Sequence, residues 1–428
     1  MRITVHRGIN QIGGCITEIA TTSSKILIDL GGNLPDGDGR CEDRLADRNA
    51  VRVLTEGCDA VIYSHYHGDH TDLCRYVPAT VPQYIGRIAK KVMLCKARTL
   101  AAIPGGPVSP ADVAVLESMR IYRPAYAIGN TGDIRVTPFF VSHSACDAYM
   151  FLIEADGKRI LHTGDFRTHG YLGKGLFPVL REYVLRRPID VLITEGTMLS
   201  RPNEAVRHEN DLKVEAAGLM KRCKYTFVLC SSTDIDRLAT FHMASKEAGR
   251  SFLCDRYQSE MLGIFSSAAV GEDSPYKFDN VRFYCHGHRN QLEPLKKRGF
   301  CMLVRGSRRF SFVHELLDML GRENCQLIYS MWSGYLKPGR NRKKEYIELW
   351  ESFGRRTLLH TSGHASANVL AEVCRTVDPV TVVIPIHSEL SDDFRLLDIP
   401  ETLRSKIVTE SAVMGGIEII MAPPQESI

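Results

Sequence analysis

A chain of 428 residues, 44% apolar and 24% charged, has the composition of a soluble globular protein with surface enough for two packed cores. No uninterrupted apolar stretch reaches membrane-spanning length, and the N-terminus opens as a strand without an apolar signal core, so neither a membrane partner nor export is expected. Thirteen cysteines, an odd number with no Cys-x-x-Cys pair, read as reduced, buried thiols such as Cys95 and Cys374 in a cytoplasmic protein.

In chain order, residues 1–6 and 25–29 read as strands, and Asp29-Leu-Gly-Gly-Asn33 as a tight turn. The apolar run 59–63 predicts a strand entering Ser64-His65-Tyr66-His67-Gly68-Asp69-His70. Alternate side chains at a strand end share a face, so His65 and His67 converge on one ion. Gly68 then turns the backbone and aims Asp69 and His70 at a neighbouring point. Imidazole with carboxylate suits zinc, with manganese as the alternative. The runs 136–143, 159–165 and 380–387 are further apolar strands, delivering His143, Asp165 and His387 at their C-terminal ends. Residues 190–195 end a strand in Glu195. A helix is expected over 204–223, followed by strands at 225–230, 251–254, 301–304 and 326–329 alternating with helices, a small parallel α/β domain. The run 357–360 reads as a strand returning to the first domain, and 366–377 as an amphipathic helix capped by Ser366. A last strand is expected over 416–420.

The string His-x-His-x-Asp-His behind an apolar strand resembles the metallo-β-lactamase-fold hydrolases. That resemblance implies two metal ions, one held by His65, His67, His143 and Asp165, the other by Asp69, His70, Asp165 and His387, with Asp165 as bridge. It also implies that Asp29 orients the metal-binding loop without binding metal. Glu195, an insert, His360-Thr-Ser-Gly-His364-Ala-Ser and His387 follow in the order of the β-CASP branch, the nucleic-acid-processing group. The Ser-Gly-His-Ala-Ser stretch is similar to that of ribonuclease J-type and archaeal cleavage-factor enzymes. Histidine at the position of His387 is usual in RNA-directed members. The implied fold is an α/β αββα sandwich with an inserted parallel α/β domain. Its parts are 1–200 for the first stretch of the sandwich, 201–349 for the insert and 350–428 for the return.

The resemblance implies a zinc-dependent hydrolase cutting single-stranded RNA, in which two ions acidify a water for attack at phosphorus. Asp69, Glu195, His364 and His360 are the expected catalytic set. His364 is the donor to developing charge, His360 its auxiliary, and Glu195 the carboxylate that orients His364. Net charge is only +4, yet residues 286–345 carry 13 Lys and Arg against 5 Asp and Glu. Arg305, Arg308, Arg309, Arg340, Arg342, Lys343 and Lys344 are therefore candidate phosphate contacts, with Phe310, Phe312, Trp332 and Tyr335 as candidates to stack on bases.

Two features depart from ribonuclease J-type chains. Ribonuclease J-type chains usually continue into an extra C-terminal domain where this sequence reaches Ile428, and Arg305-Gly-Ser-Arg-Arg-Phe310 stands where they carry a Gly-x-Gln-Gly-Glu-Pro-like loop. The competing readings are a hydrolase of the same fold acting on DNA or a small phosphodiester, and a non-catalytic RNA-binding subunit. Homodimerisation is left open.

Overall fold

The computed structural model describes residues 1–284, 292–305, 310–409 and 417–420. Its first sheet runs β1 (Arg2–Arg7), β2 (Ile16–Ala20), β3 (Lys25–Ile28), β4 (Ala60–Ile62), β5 (Gln83–Ile85) and β6 (Arg120–Ile121), with a strand at Ile417–Ile420 outside β1. A second sheet runs β7 (Arg135–Val141), β8 (Ala148–Ala155), β9 (Lys158–His162) and β10 (Val191–Glu195), closed by Val382–Ile386 beside β10. Both sheets begin as antiparallel meanders and finish parallel, through β3–β4–β5–β6 and β9–β10–Val382 to Ile386.

Alternation along single strands sets the layers. Ile26 and Ile28 of β3 face the space between the sheets with Ile62, Phe151, Ile193 and Ile384, whereas Leu27 packs outward with Ile88 and Val92. In the second sheet Leu161, Leu192 and Val383 face Leu370, Val373 and Cys374 of the outer helix Ala367–Val377. Helices outside and two sheets inside make the expected α/β sandwich. Ser366 caps that last helix, its side chain accepting from Val369 N. Strand β8 was not legible in the sequence. Nearly all of Ala-Tyr-Met-Phe-Leu-Ile-Glu-Ala is buried, so no period-2 pattern separates it from a buried helix.

Between β10 and its neighbour Val382–Ile386 the chain builds a third sheet, parallel throughout. It comprises β11 (Tyr225–Leu229), β12 (Ser251–Cys254), β13 (Val281–Phe283), β14 (Phe300–Val304), β15 (Cys325–Tyr329) and β16 (Arg355–Leu358), in the order β13-β12-β14-β11-β15-β16. Val382–Ile386 is then β17 and Ile417–Ile420 is β18. Strand β16 corrects the expected return at residue 350, because it pairs with β15 from Gln326↔Arg355 to Tyr329↔Leu358. Its Arg-Arg-Thr-Leu sequence is an exposed edge, and an edge strand carries no core pattern that names its sheet. The helix expected from 204 begins at Glu209 instead. Arg207 N donates to Thr361 Oγ1 at 2.9 Å and Glu209 N to His169 O at 3.0 Å, which draws these amides away from a helical ladder.

All twelve described cysteines are free; Cys374 is buried, but Cys95 is half-buried beside Glu260. Among the described residues no helix is long and apolar enough to cross a membrane. The helix Pro110–Ser118 opens with a reciprocal capping box between Ser109 and Asp112. Ser109→Ala should therefore lower unfolding free energy by about 1 kcal/mol, read as a lower denaturant midpoint at unchanged metal content.

Candidate metal centre

The parallel ends of β3, β4, β9, β10 and β17 bring the site together. Asp29, just beyond β3 at a φ of 59°, accepts from Ser64 N at 2.7 Å, Ser64 Oγ at 2.8 Å and His70 Nδ1 at 2.7 Å. One buried carboxylate thus holds the start of the histidine loop and fixes the His70 ring with Nε2 facing inward. The loop differs from the expected simple turn. Gly68–Thr71 is one helical turn starting at His67, and it presents Asp69 and His70. Gly31 is required beside it, since a Cβ there would lie 1.7 Å from Asp69 O.

The seven residues expected to bind metal converge. His67 Nδ1 lies 3.0 Å from His65 Nε2 and 3.2 Å from His143 Nε2. On the other side His387 Nε2 is 3.1 Å from Asp69 Oδ2. Asp165 Oδ2 sits between these groups, 3.1 Å from His70 Nε2, 3.6 Å from His387 Nε2, and 3.9 Å from both His65 Nε2 and His143 Nε2. The remaining ring nitrogens have protein partners: His65 Nδ1 with Ser64 Oγ, His143 Nδ1 with Gly363 O, and His387 Nδ1 with Thr197 Oγ1. This leaves the cluster-facing nitrogens as acceptors.

Electrostatics agree with that assignment. Burial pushes His65 and His143 well below the ordinary histidine pKa, and His67 down to about 4, so all three rings are neutral. Burial would raise Asp165, but His387 and His70 outweigh it and hold the carboxyl well below its usual range. Three neutral imidazoles, of His65, His67 and His143, with the ionised Asp165 carboxylate beside them fit a divalent ion. At His70 burial is outweighed by Asp165 and Asp29, which raise it well above the ordinary histidine pKa, so that a cation there would take the place of its proton. Cys15, which the sequence reading did not single out, lies against the same site. Its thiol and donor atoms of His70 and His387 all fall within 4.8 Å of one another. Burial raises that thiol well above its ordinary pKa and keeps it protonated.

His364 stands over the cluster, its Nδ1 2.9 Å from Glu195 Oε2 and 3.8 Å from Asp165 Oδ2. Burial alone would lower its pKa, but the Glu195 carboxylate prevails and raises it. Glu195 is fully buried and also accepts from Phe166 N at 3.0 Å. The expectation for His360 is corrected. Its Nδ1 accepts from Arg237 Nη1 at 3.0 Å rather than joining the cluster, and burial and Arg237 push it down to about 3.

Two arginines missed in the sequence hold the His364 loop. Arg167 Nη1 donates to Ser362 O at 3.0 Å and Arg237 Nη2 to Thr361 O at 3.1 Å. Both are fully buried and paired, Arg167 with Asp236 at 2.7 Å and Arg237 with Glu209 at 3.1 Å. An arginine between polar residues gives no sequence sign that it will be buried.

The basic segment is dispersed. Arg305 pairs with Asp255 and lies over Tyr257, Lys343 lies over Tyr335 at 4.8 Å, and Lys344 is 3.8 Å from Glu348. The Arg340 carbonyl accepts from Gly37 N at 2.8 Å, which ties this segment, with Arg342, to the sandwich. Arg308 and Arg309 lie outside the described residues. Phe310 and Phe312 are corrected from base-stacking candidates to core, since Phe310 is buried under the third sheet and Phe312 packs against the same cluster.

Residues 26–243, half of the chain, match the model of the β-lactamase superfamily domain. The chain belongs to this family. A stretch of 176 residues, 39% of this chain, is 28% identical to ribonuclease J of Mycobacterium tuberculosis strain CDC 1551 / Oshkosh, and equally to that of strain ATCC 25618 / H37Rv. The match spans 28% of the length of those relatives. The fold extends further. The crystal structure of a protein of unknown function from Enterococcus faecalis V583 superposes with a TM-score of 0.71 at 19% identity, over 98% of this chain and 99% of that one. Family, fold and the histidine–aspartate cluster together support a metal-dependent hydrolase.

Proposed function

We propose that this hydrolase is a β-CASP-type ribonuclease that cuts single-stranded RNA, with zinc, or alternatively manganese, as its metal. The observation that carries the reading is the pair of buried Glu195 and half-buried His364 beside Asp165, the histidine on a loop delivered by the segment that follows the third sheet. The partial similarity to ribonuclease J points to the same substrate class. His65, His67, His143 and Asp165 would hold one ion, and Asp69, His70, Asp165 and His387 the other. Bound ions supply Lewis-acid charge at the scissile phosphate and acidify a water. The Glu195 carboxylate accepts from His364 Nδ1 and raises the pKa of the ring, which favours the imidazolium whose second proton, at Nε2, can be placed against a non-bridging phosphate oxygen. The free cysteines support a reducing, cytoplasmic compartment.

Single-stranded RNA labelled at either end, with DNA of the same sequence beside it, tests the reading. Metal-dependent loss of RNA ahead of DNA is expected, and the pattern of labelled products gives the polarity. Cleavage of DNA with RNA untouched would overturn it. The basic segment supplies a second test. Reversing Arg340, Arg342, Lys343 and Lys344 should weaken RNA binding at every sequence and flatten its log–log salt dependence by about 0.7 per lost phosphate contact. An unchanged slope would show that these charges only solvate the surface.

A further inference from the structure

Trp332 has no place in a core. It is half-buried, packs into none of the hydrophobic clusters among the described residues, and follows strand β15 by three positions. What covers it is Arg201, whose guanidinium carbon lies 4.3 Å from the ring centroid. A Cβ on Gly334 would come within 2.4 Å of the indole, so that backbone approaches the ring directly. Tyr335 meets the ring edge-on at 5.4 Å. The indole is thus enclosed as a mount, and what it mounts is a cation.

That cation is uncompensated. Among the described residues no carboxylate forms an ion pair with Arg201, whereas neighbouring Arg207 is paired with Glu215 at 2.8 Å. A half-buried guanidinium held on a ring without a counter-charge is a prepared anion site, because part of its desolvation and ordering precedes binding. Its position points to the reaction centre. Arg201 closes the short helical turn Thr197–Ser200, whose first residue holds its Oγ1 3.1 Å from His364 Nδ1 and 2.7 Å from His387 Nδ1. Two recesses of about 550 and 500 Å³ adjoin there and share Arg201, Pro202 and Glu204. One is lined by Trp332 and Lys337, the other by His169 and Ser366. Together they form a path for an extended ligand past Arg201.

We propose that Arg201, held flat on Trp332, is a phosphate-binding subsite that grips one linkage of the RNA strand beside the bond being cut. The subsite rests on the ribonuclease reading and adds a residue to it. Trp332 is a positioning residue that fixes the guanidinium fork without touching the reacting atoms. Lysine in place of Arg201 keeps the charge but loses both the stack and the bidentate fork.

The test pairs protein variants with RNAs in which one phosphate at a time is replaced by a neutral methylphosphonate. Arg201→Ala should weaken binding of unmodified RNA about 10- to 100-fold and lower the salt slope by about 0.7, the share of one contact. One modified linkage should erase that difference, and binding of this RNA, equal in wild type and variant, serves as the folding control. Trp332→Ala should reproduce much of the loss, Trp332→Phe should restore part of it, and Arg201→Lys should restore little. If wild type binds and cuts RNA but no linkage couples to Arg201, the subsite is wrong and the ribonuclease reading stands. If wild type neither binds nor cuts RNA, both fall.

Discussion

Asp165→Asn should strip the protein of both ions and abolish hydrolysis. The expectation follows from the position of one atom. Asp165 Oδ2 is 3.1 Å from His70 Nε2, 3.6 Å from His387 Nε2, and 3.9 Å from His65 and His143 Nε2, so it belongs to both halves of the cluster. The amide removes a negative charge from a buried site in which His65, His67 and His143 are neutral, and divalent cations lose charge that offsets their dehydration. His65→Ala, by contrast, removes a donor from one half alone. Metal content per chain by atomic emission separates the two variants. Asp165→Asn should approach zero, and His65→Ala should keep the ion bound by Asp69, His70 and His387. Two tightly held ions in Asp165→Asn would end the bridging assignment and, with it, the shared-centre account of the site.

His364→Ala should cut turnover roughly 100- to 1000-fold, the usual cost of one preorganised donor, at near-normal metal content and RNA affinity. Its imidazole is raised in pKa by Glu195, and in the proposed ribonuclease its donation would be needed chiefly when charge develops at phosphorus. The loss should therefore appear in kcat rather than KM. His364 Nδ1 also lies 3.8 Å from Asp165, and the donor atoms of His143, Asp165 and His364 fall within 4.8 Å of one another. Metal analysis is therefore the deciding control. Loss of an ion with His364→Ala would make the residue a ligand, and wild-type turnover would leave it without a chemical role.

How the chain delivers these groups was partly legible beforehand. The strand before His65 announced itself as a short apolar run, as did those before Asp165 and His387, because parallel strands buried on both faces need continuous apolar sequence. The helix after His364 showed its amphipathic period and its Ser366 cap. Strand β16 was legible as extended but not as a member of the third sheet, since pairing partners are chosen by hydrogen bonds whose donors every residue shares.

What the sequence determined by itself was local: which runs are strands, which residue types end them, and that imidazoles and carboxylates recur at those ends. Convergence of the donors on Asp165 was a tertiary outcome, produced by two sheets packing with their parallel ends at one rim. The fate of individual polar residues was decided there too. His360 went to Arg237 and not to the cluster, Phe310 into the core, and Arg201 onto Trp332. A histidine, phenylalanine or arginine looks the same in sequence whether buried, paired or exposed, and only its neighbours in space, many residues away along the chain, set its charge state and its partner.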